Sequence, residues 1–179
     1  GQEDPTSNFQ WEFILVDDDQ TKNAWCMPGG KIAFYSGILP IAKNEDGIAS
    51  IMGHEIAHAV ARHSAERAST AMLTDLGIMA VEQFVLGQRL PQASGYIRQF
   101  GLDLPFNRKQ ESEADYLGII FSSLAGYNIE ESYKVWERMK EEAGSGPAEF
   151  WSTHPSPDNR IKKLKEWIPI VSKQYPAIG

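Results

Sequence analysis

A chain of 179 residues is long enough to bury roughly 70% of its unfolded surface in one domain, so a metal it binds is expected to be functional rather than structural. Its formal charge of -7, with no Lys/Arg block, excludes a nucleic-acid surface. Cys26 is the lone cysteine, which rules out an intrachain disulfide and a Cys-based zinc site.

The chain starts at Gly1 without a basic-then-apolar leader, so a fragment or mature form is expected, with any targeting signal upstream. After a polar stretch at residues 1–9, residues 11–16 alternate as a strand does and run into Asp17-Asp18-Asp19, read as a solvated turn in preference to a cation site. Residues 23–27 and 31–35 read as two strands around the tight turn Pro28-Gly29-Gly30. Residues 36–42 start a helix that Pro40 weakens. The strongest helical pattern covers residues 45–63, and residues 64–86 read as its continuation. The most apolar stretch, residues 71–87, is interrupted by Asp75, Glu82 and Gln83; it suits a core or lid helix better than a membrane span, so a soluble molecule is expected. Pro91, Gly95 and Gly101 break the periodicity of residues 87–104. Further helices are predicted over residues 107–124, 129–142 (opened by Asn128) and 157 or 158 to 167, with a Gly/Ser/Pro linker at 143–148. A few strands followed by helices predicts a single α+β domain.

Within the strongest helix lies the run His54-Glu55-Ile56-Ala57-His58. Helical positions four apart share a face, so both imidazoles can grip one metal while Glu55 reaches the attacking water as general base. Asn44 supplies a cap, Glu45 and Asp46 suit the positive end, and Ile48, Ile51, Met52, Ile56, Ala59 and Val60 form an apolar stripe that carries the motif toward the interior. The bland alternative is a pair of ordinary histidines on an amphipathic helix. It would bury two unpaired imidazoles, and half of the chain's four His fall in this one window.

A catalytic zinc normally takes three protein ligands and leaves a fourth position open. The extended pattern with a third His six positions on would fall on Ser64, and its Gly on Ala61, so that subclass is excluded. His63 is one position short and off the ligand face of a continuous helix, and is read as structural. The better candidate is Glu111, four before Asp115 on one helical face, with Glu113 pointing roughly the other way. Ala114 and Gly118 would let this helix approach the zinc helix closely.

Taken with Arg108-x-x-Glu111-x-Glu113-Ala114-Asp115-x-x-Gly118 and His154-Pro155-x-Pro157-x-x-Arg160, the motif resembles the HtpX/CAAX-prenyl-protease-like family of zinc metallopeptidases, number forty-eight in the usual classification. Asn23-Ala24 and Pro28-Gly29-Gly30 before a strand match that family's substrate-side edge. The resemblance implies a zincin-like (gluzincin) fold with Glu111 as third ligand, Asp115 orienting His54, and His154 and Arg160 lining the site. It implies the compact, non-spanning bacterial branch, soluble or lipid-anchored, or else the catalytic part of something larger; members of that branch act in envelope or membrane-protein quality control, which points to the periplasm or a membrane surface. A peripheral or lipid anchor would then come through an N-terminus not seen here.

The expected activity is endopeptidase cleavage of unfolded or extended polypeptides with one Zn2+ per chain. Arg160 or His154 would hold the developing oxyanion, and residues 31–35 would offer backbone hydrogen bonds to the peptide. A second role competes for His154: occupying the open metal position and blocking it. The rivals are a zinc-binding chaperone-like or interaction module without turnover, against which Glu55 weighs, and a hydrolase of non-peptide amides or esters.

Overall fold

The computed structural model describes residues 5–67, 69–70, 106–143, 150, 153–154 and 157–178. The expectations for residues 71–104, and for the linker beyond residue 143, lie outside them.

Among the described residues three strands form one sheet: β1 (Glu12–Val16), β2 (Ala24–Met27) and β3 (Lys31–Tyr35). Their order is β1-β3-β2, with β1 parallel and β2 antiparallel to β3. The Pro28-Gly29-Gly30 turn works as predicted: Gly29 and Gly30 sit at φ 95° and 91°, where a side chain would be strained, and Gly30 N donates to Met27 O at 3.2 Å. Because β3 is the central strand, both of its edges are taken. The expectation that residues 31–35 pair with a peptide is therefore corrected; among the described residues the strand with an open edge on this side is β2. Asp18 accepts bonds from Gln20 N, Thr21 N and Thr21 Oγ1, as expected of a turn-forming carboxylate.

A 3-10 turn (Ser36–Ile38) leads into α1 (Leu39–Ala42), which tolerates Pro40 because its first positions need no N–H donor. Helix α2 (Glu45–Val60) is capped by Asn44, whose side chain accepts from Gly47 N at 2.8 Å. It ends earlier than the predicted residue 63 and does not run straight on: Ala61 caps it and Arg62 turns into the left-handed region at φ 58°, before residues 63–67 become helical again.

Helix α3 (Arg108–Leu124) opens with a capping box in which Asn107 and Gln110 satisfy each other's backbone donors. It crosses α2 where Gly53 meets Gly118; a Cβ on Gly118 would lie 2.9 Å from His54 N, so glycine permits the approach. Helix α4 (Glu131–Ala143) starts two residues later than predicted. Helix α5 (Pro157–Gln174) runs well past Trp167, because Leu164, Ile168 and Val171 continue one buried stripe through Pro169. The core joins Ile32, Ile38, Ile51, Trp136, Met139, Leu164 and Val171. The architecture is α+β, as predicted, and among the described residues no helix is long and apolar enough to cross a membrane.

Candidate metal centre

The α2 periodicity that buries Ile51, Ala57 and Ala59 also buries His54, Glu55 and His58. The two Nε2 atoms face each other at 3.1 Å. Across the glycine crossing, Glu111 Oε1 lies 3.2 Å from His58 Nε2 and Oε2 lies 3.6 Å from His54 Nε2. One turn on, Asp115 Oδ1 lies 3.0 Å from His54 Nδ1, the nitrogen on the other side of that ring. Glu113 stays half exposed and away from this cluster.

His154 enters from the C-terminal segment, stacked on Phe150 with ring centroids 4.2 Å apart. Its Nδ1 is 2.9 Å from Glu111 Oε1 and its Nε2 is 3.5 Å from Glu55 Oε1. His54, His58, Glu111 and His154 each offer a ligand atom, and these four atoms lie within 4.8 Å of one another. Arg160 of α5 donates through Nε and Nη2 to the two oxygens of Asp115 at 2.7 Å each, while Nη1 sits 2.7 Å from Glu111 Oε2. The same guanidinium lies over the Trp136 ring, 4.5 Å from its centroid.

Electrostatics follow from this burial. Burial pulls the His58 imidazole well below its ordinary pKa, so the ring is neutral, as a ligand must be. Burial pushes the Glu55 carboxyl up, against the opposing pull of His154 and His54. For Glu111 and Asp115 burial acts in the same upward direction, but it is outweighed: His154 and Arg160 hold Glu111 low, and Arg160 holds Asp115 low. If His54 donates from Nδ1 to Asp115, both Nε2 atoms can face each other as lone pairs beside an ionised carboxylate. Two Nε2 lone pairs and an ionised carboxylate that converge in this way fit a cation, and two imidazoles plus one carboxylate fit zinc.

Residues 3–168 match the profile of peptidase family M48. The chain belongs to that family. It is 43% identical over 166 residues to "Mitochondrial metalloendopeptidase OMA1" of Schizosaccharomyces pombe, covering 91% of this chain and 48% of that protein. The human "Metalloendopeptidase OMA1, mitochondrial" is 30% identical over 179 residues, or 93% of this chain and 34% of that protein. The "Beta-barrel assembly-enhancing protease" of Escherichia coli is 31% identical over 165 residues, or 84% and 33%. The chain thus spans about a third to a half of the length of these relatives. The resemblance read from the motifs is the family found.

The fold brings all seven sequence-picked residues, His54, Glu55, His58, Glu111, Asp115, His154 and Arg160, into one buried cluster. Two aromatic supports escaped the sequence reading. Phe106 stacks on His58 with centroids 3.7 Å apart, and Trp136 meets the edge of His54 at 5.3 Å. Neither carries a spacing signal, since each arrives from a different helix end or helix. Beside the cluster lies a cavity of about 640 Å³, lined by β2, by Glu55 and His58, and by Phe106 and His154.

Proposed function

We propose that this chain is a single catalytic domain of a zinc-dependent endopeptidase, with His54, His58 and Glu111 as the ligands. The observation that carries the reading is Glu55: its Oε1 is buried, has no hydrogen-bond partner among the described residues, and borders the cavity next to three convergent ligand atoms. A structural metal site has no use for such a carboxylate. Bound there, zinc would supply Lewis acidity toward water and the scissile carbonyl.

Glu55 Oε1 takes the proton of the attacking water as its oxygen bonds to the carbonyl carbon, then returns it to the amine nitrogen as the C–N bond breaks. Its upward pKa shift suits both halves of that task. An extended peptide lies along the open edge of β2, the strand that lines the cavity, where backbone pairing gives affinity with little sequence preference.

Arg160 is assigned differently from the sequence expectation. Its guanidinium is engaged by Asp115 and Glu111, and Nη1 also reaches the His154 carbonyl at 3.4 Å, so we infer that it positions carboxylates instead of holding the oxyanion. Asp115 in turn orients His54. For His154, the position of Nδ1 within the ligand-atom cluster favours the blocking role. The substrates are inferred to be unfolded or extended polypeptides of a membrane or envelope, in line with the β-barrel assembly named for one relative.

The test is zinc analysis paired with casein digestion. Glu55→Gln should keep about one zinc per chain and lose on the order of a hundredfold or more of the activity; loss of zinc with activity would place Glu55 among the ligands. His154→Ala should keep zinc and raise the rate if His154 blocks the metal, and lower it if it stabilises the oxyanion. A zinc-loaded wild type that cuts no unfolded protein would leave the chain as a binding module.

A further inference from the structure

The break after α2 has a chemical result. Because Arg62 turns left-handed, His63 folds back over the end of the helix and sets its Nδ1 2.9 Å from Nδ1 of His58, the nitrogen facing away from the ligand cluster. The other nitrogen of His63, Nε2, lies 3.4 Å from Glu113 Oε2. His63 is 2% exposed, whereas the Glu113 side chain is half exposed.

We propose that His63 and Glu113 are positioning residues that fix the tautomer and ring orientation of His58 for metal binding. The inference rests on His58 being a ligand. Two Nδ1 atoms in contact share one proton, so its owner decides the pair. His58 Nε2 lies 3.1 Å from His54 Nε2 and 3.2 Å from Glu111 Oε1 and must present a lone pair to a metal. A neutral His58 then carries its proton on Nδ1 and donates it to His63 Nδ1. His63 accepts there, carries its own proton on Nε2, and donates it to Glu113. Each donor meets one acceptor, and no atom is used twice.

His63 itself is not a ligand, because one nitrogen faces the far side of His58 and the other faces Glu113. The two ligand histidines are therefore held by unlike partners: His54 by the carboxylate of Asp115, His58 by a neutral imidazole backed by a carboxylate at the surface. Outer partners of this kind typically change metal affinity by about tenfold to a hundredfold.

The experiment measures zinc affinity of the whole chain by competition with a chromophoric chelator. His58→Ala is the control: retained affinity there would sink the ligand assignment itself. With that control passed, His63→Phe keeps a ring of similar size and should weaken zinc binding by about tenfold to a hundredfold, while His63→Asn, whose amide oxygen can accept at the Nδ1 position, should recover most of the loss. Glu113→Gln should have a smaller effect in the same direction. A folded His63→Phe that binds zinc within about twofold of wild type overturns the proposal. Should His63→Phe not fold, 15N NMR of the wild-type imidazoles decides: a proton on His58 Nδ1 and none on His63 Nδ1 supports it, and the reverse overturns it.

Discussion

His54 and Glu111 are 2% and 1% exposed, whereas Phe13 and Leu15 of β1 are 61% and 63% exposed. The helical half of the molecule gathers its buried charges into one cluster: Glu111 meets both histidines of the motif, His154 and Arg160. In the sheet half β1 and β2 both pair with β3, the Glu12–Lys31 ion pair lies at the exposed surface, and both outer strands end the sheet among the described residues. The contrast suits a division of labour in which one half must hold a charged cluster rigidly and the other must leave hydrogen-bonding capacity open for an incoming strand. If that division is right, substitutions in the helices should act on the metal and on stability, and substitutions in β2 should act on peptide binding alone.

The largest effect should come from Glu111→Ala. It removes a ligand and also leaves Arg160 with an unfilled side in a buried setting, so zinc affinity should fall by more than the roughly tenfold to hundredfold that losing an orienting partner costs. Chelator competition measures it. Equal zinc loss in Glu113→Ala and none in Glu111→Ala would mean that the register of α3 places the wrong carboxylate at the metal.

Arg160→Met should come next. It leaves Asp115 and Glu111 as buried carboxylates without their shared cation, and breaking a buried pair of this kind costs about 3–5 kcal/mol. Urea unfolding of the metal-free protein should therefore show a large loss of stability, followed by weaker zinc binding in whatever remains folded. A metal-free midpoint equal to wild type would remove Arg160 from its proposed holding role and return it to the oxyanion.

The same contrast explains what the sequence could reveal. The α2 motif and the Glu111/Asp115 pair were legible because helical spacing alone puts them on common faces, and Asn44 and Asn107 mark the helix starts. The contact of His63 with the far side of His58 was illegible because the break at Arg62 involves no Gly or Pro, so nothing local announces that the chain doubles back. The parallel pairing of Glu12–Val16 with Lys31–Tyr35 was illegible for a different reason: it joins strands 19 positions apart across β2, and alternation within a strand does not tell which neighbour it takes. That missing neighbour is why β3 was mistaken for the open edge. The target of Arg160 was likewise set by the crossing of α5 on α3, a contact with no signature in either segment.

The smallest effect, and the one that isolates the sheet half, is expected for Trp25→Ala. Trp25 lies on β2, lines the cavity beside Glu55 and His58, and is partly exposed, while its neighbours Ala24 and Cys26 point into the core at 1% and 8% exposure. Removing it should leave β2 paired with β3 and the ligand cluster untouched. A substrate side chain that buries roughly 55 Å² of apolar surface against the indole would gain about 1.4 kcal/mol, which is about tenfold in affinity. KM for an unfolded-protein substrate should therefore rise by up to about tenfold, with kcat little changed and zinc affinity within about twofold of wild type. Loss of zinc binding in parallel with the KM change would show that β2 and the metal cluster are mechanically one unit, and the division between a rigid half and an open half would have to be given up.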